Sequence, residues 1–380
     1  MDRLNELANI FKNNVLKEID VQEITVFGYQ YNYKAKVAKS VTNYWFEEHT
    51  VEEIIAPLNS ESDNNNRPGS KKESTEYIVV HDTASSAKTA DEYAHARYVS
   101  NGGGGTSWHY SVGDKASIHQ IPDDEVAYHA GDSLMVRFEL FNTGVKGKEL
   151  NPNVEIIDGY YYLNNQKTTI LAPVVSYVYN NDKLVYASDG VIQSTKAPDN
   201  ARENELMRPL VTTDINDAGL RVDLIDGMYY MGPTYYNATY KYVANRGGNL
   251  NSIGIETMLN EGSNLIKTWH RCAKLVAHLL VENNLDISRV KPHHFFSGKP
   301  CPMTMRNNGF YNYFMDCVKM EYLILTRYSD INITFVPLTN NLTKDGLINL
   351  NSDSEYAKYK IVLNDNKNII ELSFESKINK

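Results

Sequence analysis

Residues 77–84 read YIVVHDTA. Tyr77-Ile78-Val79-Val80 is a continuous apolar run, the pattern of a strand buried on both faces rather than the alternation of a half-wet one. A second run of this kind, Ser252-Ile253-Gly254-Ile255, recurs far downstream. Around these two runs, spacing predicts helices over 89–100, 263–284 and 310–325, and short strands at 108–112 and 117–121. The clearest helix is 263–284, where Trp269, Ala273, Val276 and Leu280 share one face. Strands interleaved with helices predict an α/β fold: a central mixed β-sheet flanked by helices.

Outward from this core, residues 59–75, NSESDNNNRPGSKKEST, hold almost no apolar side chain and read as a linker. They separate an N-terminal accessory segment, 1–58, from a main domain expected over 76–328. Within 1–58, Asp2 caps a helix carrying Leu4, Leu7, Ile10, Phe11 and Val15; a β phrase, Ile24–Phe27, and a second helix over 37–55 are expected to follow. The main domain is interrupted at about 134–243 by a β-rich insertion. There the phrases IIDGYYYLN (156–164) and LIDGMYYMG (224–232) suggest two similar hairpins. Residues 329–380 alternate apolar and polar positions and are expected to form a small C-terminal β-unit.

Composition narrows the function. The 380 residues carry a net charge of −9, which disfavours a nucleic-acid partner. No run approaches the length of a transmembrane segment, and the opening MDRLNELANIFKNNV lacks a signal peptide's apolar centre, so synthesis in the cytoplasm is expected. Three widely spaced cysteines do not make a disulfide framework.

Chemistry concentrates where the buried strands end. His81 follows Val80 directly, where a ligand or base would stand, although taken alone a histidine there is better explained by packing. In KPHHFFSGKPCPM (291–303), His293 and Cys301 stand eight positions apart across a Gly-containing loop and can converge on one point. Zinc takes imidazole and thiolate ligands tetrahedrally and, in catalytic sites, keeps one position for water; His81, His293 and Cys301 would leave that position open. Glu256, after the second buried run, would be half buried. Either it pairs with Arg246 or Lys299, or it serves as the general base toward a metal-activated water.

Together IVVHDTA (78–84), SWHYSVGDKASIHQIPDDEVAYHAGD (107–132), NSIGIETML (251–259) and PHHFFSGKPCP (292–302) resemble the zinc-dependent N-acetylmuramoyl-L-alanine amidases of the amidase-2 type, relatives of the peptidoglycan recognition proteins. The resemblance covers about 76–132 and 244–328. It implies one zinc per chain on His81, His293 and Cys301, selecting His293 over His294. It also implies Lys299 as the oxyanion donor and Glu256 as the base. Some relatives carry a tyrosine where this chain has Trp108; a Trp cannot do acid–base work, so Trp108 is expected as a wall or sugar-stacking platform. His109 and His129 belong to the recurring phrases and are expected to line the substrate groove, a partner role behind a metal ligand being equally consistent for His129.

The function implied is hydrolysis of the bond between N-acetylmuramic acid and L-alanine, with peptidoglycan or muropeptides as partner and the bacterial cell wall as the place of action, as in a phage endolysin or an autolysin. Three alternatives stay open: a non-catalytic peptidoglycan binder, a virion or envelope component, and a cysteine hydrolase using Cys301. Gly102–Gly105 lacks a phosphate-loop lysine and reads as a flexible edge. His270 and His278 are expected on a solvated helix face, Cys272 and Cys317 as buried thiols, and His49 and His95 have no evident partner.

Overall fold

A computed structural model describes residues 2–61, 65–102, 104–131, 140–148, 152–172, 174–180, 183–188, 191–196, 208–209, 211–212, 222–232, 248–297 and 299–380. The chain divides into two compact units: Met1–His129 with Asn249–Lys291 and Pro302–Lys380, and Ala130–Gly248 with Pro292–Cys301. The expected insertion edges near 134 and 243, and Arg246, lie outside the described residues.

The first unit is built on a six-stranded mixed sheet in the order Val290–Pro292, Tyr77–Asp82, Ser252–Thr257, Tyr110–Val112, Ser117–His119, Glu52–Glu53. The two apolar runs pair in parallel, so Ile78, Val79 and Val80 stand beside Ile253, Gly254 and Ile255, and all five apolar side chains are fully buried. Parallel pairing with both faces covered is why these runs do not alternate. Helix Leu265–Glu282 supplies Trp269, Cys272, Ala273, Val276 and Leu280 to the core and is capped by Asn264, which accepts from Lys267 N at 3.0 Å. Helices Glu92–Ser100 and Tyr311–Arg327 complete the α/β arrangement.

The same unit holds a second sheet built from both ends of the chain, in the order Asn332–Pro337, Tyr356–Asn364, Ile369–Asn379, Glu18–Val26, Tyr33–Ala38. Glu18 pairs in parallel with Lys377, and helix Asp2–Asn14 puts Leu4, Leu7 and Phe11 into one core with Tyr359, Ile361, Leu363 and Ile378. Stretches that composition sets apart are thus hydrogen-bonded neighbours.

Two expectations fail for physical reasons. No helix forms over 37–55: after strand Tyr33–Ala38 the backbone is irregular, and side chains take over its hydrogen bonding. Ser40 N donates to Tyr313 Oη at 3.0 Å and Trp45 N to Glu321 Oε1 at 2.7 Å, while Lys274 Nζ donates to the carbonyls of Trp45 and Glu47. The described residues of the polar stretch 59–75 are likewise fastened rather than free. Arg67 forks onto Glu125 at 2.7 and 2.9 Å, Asn66 is buried against Val99 O, and Lys72 reaches Ser252 O. Composition registers polarity; it does not register the partner.

In the second unit, the two look-alike phrases both form hairpins, Val154–Ile157 with Tyr160–Leu163 and Val222–Ile225 with Met228–Met231. Each turns on an Asp-Gly pair with positive φ at both residues, 50° and 75° in one, 49° and 75° in the other. That is the left-handed geometry a two-residue hairpin needs.

Candidate functional site

The parallel register places Glu256 directly beside His81, with Glu256 Oε1 3.8 Å from His81 Nδ1. His81 is 1% exposed, and its backbone carbonyl accepts from Thr257 Oγ1 at 2.8 Å. Its Nε2 lies 3.0 Å from Nδ1 of His129, whose own Nε2 lies 3.3 Å from Ser252 Oγ. Two tautomer pairs satisfy this chain: both rings protonated at Nε2, with His81 donating to His129 and His129 to Ser252, or both at Nδ1, with Ser252 Oγ donating to His129 and His129 to His81. The first pair leaves His81 Nδ1 unprotonated, the form in which an imidazole nitrogen serves as a metal ligand. Burial, with Lys72 adding its charge, pushes His129 down to about 3, so it stays neutral in this role.

Gly254 makes room for that histidine. A Cβ there would stand 2.5 Å from His129 Cγ. Gly254 is also gripped from the other side, its N–H donating to His109 Nδ1 at 3.0 Å and its carbonyl accepting from His109 N at 2.9 Å.

The loop after strand Val290–Pro292 is drawn closed by its own backbone. His294 N donates to Cys301 O at 3.1 Å and Phe296 N to His293 O at 2.9 Å. Past Pro302, Thr304 N in the first turn of helix Met303–Asn307 donates to Asp82 Oδ2 at 2.7 Å. The residue after His81 therefore anchors the helix that follows Cys301. His81, His293 and Cys301 are all buried, and one ligand atom from each lies within 4.8 Å of the other two. Two imidazoles and a thiol so grouped can hold a metal ion.

Residues 71–304 match the N-acetylmuramoyl-L-alanine amidase family. The chain belongs to that family. Among its relatives, the amidase CwlH of Bacillus subtilis is 45% identical over 83 residues, 22% of this chain and 31% of that protein. XlyA of the same organism is 47% identical over 68 residues, 18% of this chain and 23% of that protein. The match thus spans less than a third of the length of either relative. The solved catalytic domain of XlyA is 21% identical, with a TM-score of 0.37, covering 71% of this chain and 99% of that one.

For this amidase-family chain three sequence expectations need correction. His109 does not line a groove: it is fully buried, with Nδ1 accepting from Gly254 and Nε2 donating to Glu125 O at 3.0 Å, and burial holds it neutral. Trp108 is no open platform. It is 7% exposed, packs with Ala56, Val99, Ile121 and Ala127, donates to Ser111 Oγ, and has the ring of Tyr98 stacked on it at 6.0 Å. His270 is not solvated but fully buried, 2.7 Å from Tyr313 Oη, whereas His278 is partly buried and stacks on His49 at 4.0 Å. His95 packs against Trp108, and Cys272 and Cys317 are buried as expected. His129 bonds to His81 rather than facing a groove through Nδ1. Two positioning residues escaped the sequence reading, Asp82 and Ser252; a carboxylate ending a buried strand was the available signal for Asp82, as it was for Glu256.

Proposed function

We propose that this chain hydrolyses the amide joining the lactyl group of N-acetylmuramic acid to the L-alanine of the stem peptide in peptidoglycan, using one zinc ion held by His81, His293 and Cys301. The observation that carries this reading is the grouping of those three buried ligand atoms within 4.8 Å in a chain of the amidase family. A tetrahedral zinc with bonds of about 2.0–2.3 Å sets its ligand atoms about 3.4–3.8 Å apart, and two imidazoles with one thiolate are a zinc donor set, so the residues fit the ion. When bound, zinc supplies a Lewis acid that polarises a carbonyl and brings the pKa of water down to around 7.

The chain's own groups supply the rest. Glu256, beside His81, accepts the proton of the attacking water and returns it to the leaving amine. Lys299, two residues before Cys301, offers its ammonium to the developing oxyanion, a contribution of about 3–4 kcal/mol where a single donor of this kind has been deleted. His129, tied to Ser252, keeps the His81 ring oriented and in one tautomer. The place of action is the bacterial cell wall, in the manner of an endolysin or autolysin.

The test is mass analysis of the products from purified peptidoglycan, with chelator and after zinc is restored. New lactyl carboxyl and L-alanine amino ends, lost with chelator and recovered with zinc, are expected. Cleavage of another bond, or turnover indifferent to chelator, would overturn the reading and, in the latter case, return Cys301 to the role of nucleophile.

A further inference from the structure

The likeness between the two hairpins of the second unit extends to a third strand in each. Gln166–Leu171 runs antiparallel to Tyr160–Leu163 with Lys167 opposite Tyr162, and Phe141–Lys146 runs antiparallel to Met228–Met231 with Asn142 opposite Tyr230. Each third strand uses a threonine in the same way. Thr168 Oγ1 donates to Tyr161 O at 2.8 Å and accepts from Ile170 N, while Thr143 Oγ1 donates to Tyr229 O at 2.7 Å and accepts from Val145 N. Both three-stranded sheets bury corresponding side chains, Tyr161 with Leu163 and Tyr229 with Met231, in one shared core. These two sheets, beside the unit's separate four-stranded sheet, are a structural duplication in which the second copy takes its third strand from the chain's way in and its hairpin from the way out.

Burying Tyr161 and Tyr229 turns their neighbours Tyr162 and Tyr230 to the opposite face, where both are partly exposed. Directly paired positions share a face. One outer row therefore reads Glu155, Tyr162, Lys167. The other has Tyr230 beside Asn142, whose Nδ2 donates to Tyr230 Oη at 3.4 Å. Each outer face thus sets a tyrosine ring next to a nitrogen donor, Lys167 Nζ standing 3.7 Å over Tyr160 beside Tyr162 in one and Asn142 Nδ2 on Tyr230 in the other. A pyranose ring needs both, an aromatic face for its C–H side and polar groups for its hydroxyls. A net charge of −9 opposes nucleic acid. Two like rows in one module suit a ligand whose chemistry repeats along its length.

We propose that this duplicated module binds the glycan strands of the wall polymer, Tyr162 and Tyr230 each stacking on one sugar ring. The choice of glycan rests on the reading of the chain as a peptidoglycan amidase. Two weak sites on one body hold a polymer far better than either alone, because the second contact is intramolecular.

The test is titration of the full chain with peptide-free wall glycan strands, alongside hydrolysis of a soluble muramyl-peptide monomer. Tyr162→Ala and Tyr230→Ala should each weaken strand binding about tenfold and the double variant about a hundredfold, with monomer hydrolysis unchanged. Replacing both by Phe should keep the binding. A folded double Ala variant that binds like the wild type, or a double Phe variant as weak as the Ala one, would overturn the proposal. The two readings can fail separately: a wild-type chain that holds glycan but cuts no amide loses only the activity, and one that cuts but holds no glycan loses only this inference.

Discussion

The two sheets of the first unit differ in what surrounds them. Tyr77–Asp82 and Ser252–Thr257 are covered on both faces and end in His81 and Glu256. Tyr356–Asn364 and Ile369–Asn379 alternate, burying Ala357, Tyr359, Ile361 and Leu363 while Lys358, Lys360, Glu371 and Glu375 pair off along the wet face. A polar group in the first sheet is taken from water and must be compensated, so its presence is informative. On the outer face of the second, a charge costs little and tells little.

The largest expected effects test the chemical side of this contrast. Cys301→Ser should lose the metal and fall to background hydrolysis, whereas Glu256→Gln should keep the metal and lose about 10²–10⁴ in kcat. Metal content measured beside turnover separates the two, and a Glu256→Gln enzyme of normal kcat would move the base elsewhere. Leu363→Ala, in the core of the terminal sheet, should cost about 2–5 kcal/mol in denaturant unfolding without altering metal stoichiometry. A smaller loss, about 1–3 kcal/mol, is expected of Gly254→Ala, whose methyl must displace His129. Because His129 steadies His81, that variant should also bind zinc about 10–100-fold more weakly, and unchanged zinc affinity would remove His129 from the site. Least of all, Lys360→Ala should change stability by no more than about 0.5 kcal/mol, since its ion pair with Glu371 stands in solvent.

How much of this could be read from sequence follows the same divide. The buried runs and the three main helices were legible because unbroken apolar runs and helical spacing leave few alternatives, while the choice of His81, His293 and Cys301 as a ligand set came from the resemblance of four phrases to the amidase family. The fold of 37–55 was not, because its backbone is satisfied by Tyr313, Glu321 and Lys274, hundreds of residues downstream. His109 and Trp108 were misread because a motif position does not say which way a side chain turns. His109 is spent on holding Gly254, and Trp108 lies under Tyr98.

The sheet shared by the two ends also has a consequence in time. Asn379 Nδ2 donates to Asp20 Oδ1 at 2.9 Å across a separation of 359 residues. At typical synthesis rates of about 5–20 residues per second, the first helix and strand wait roughly 20–70 s for that neighbour to be made. Through that interval the greasy stripe of Leu4, Leu7 and Phe11 lacks the cover that Tyr359, Ile361, Leu363 and Ile378 later give it.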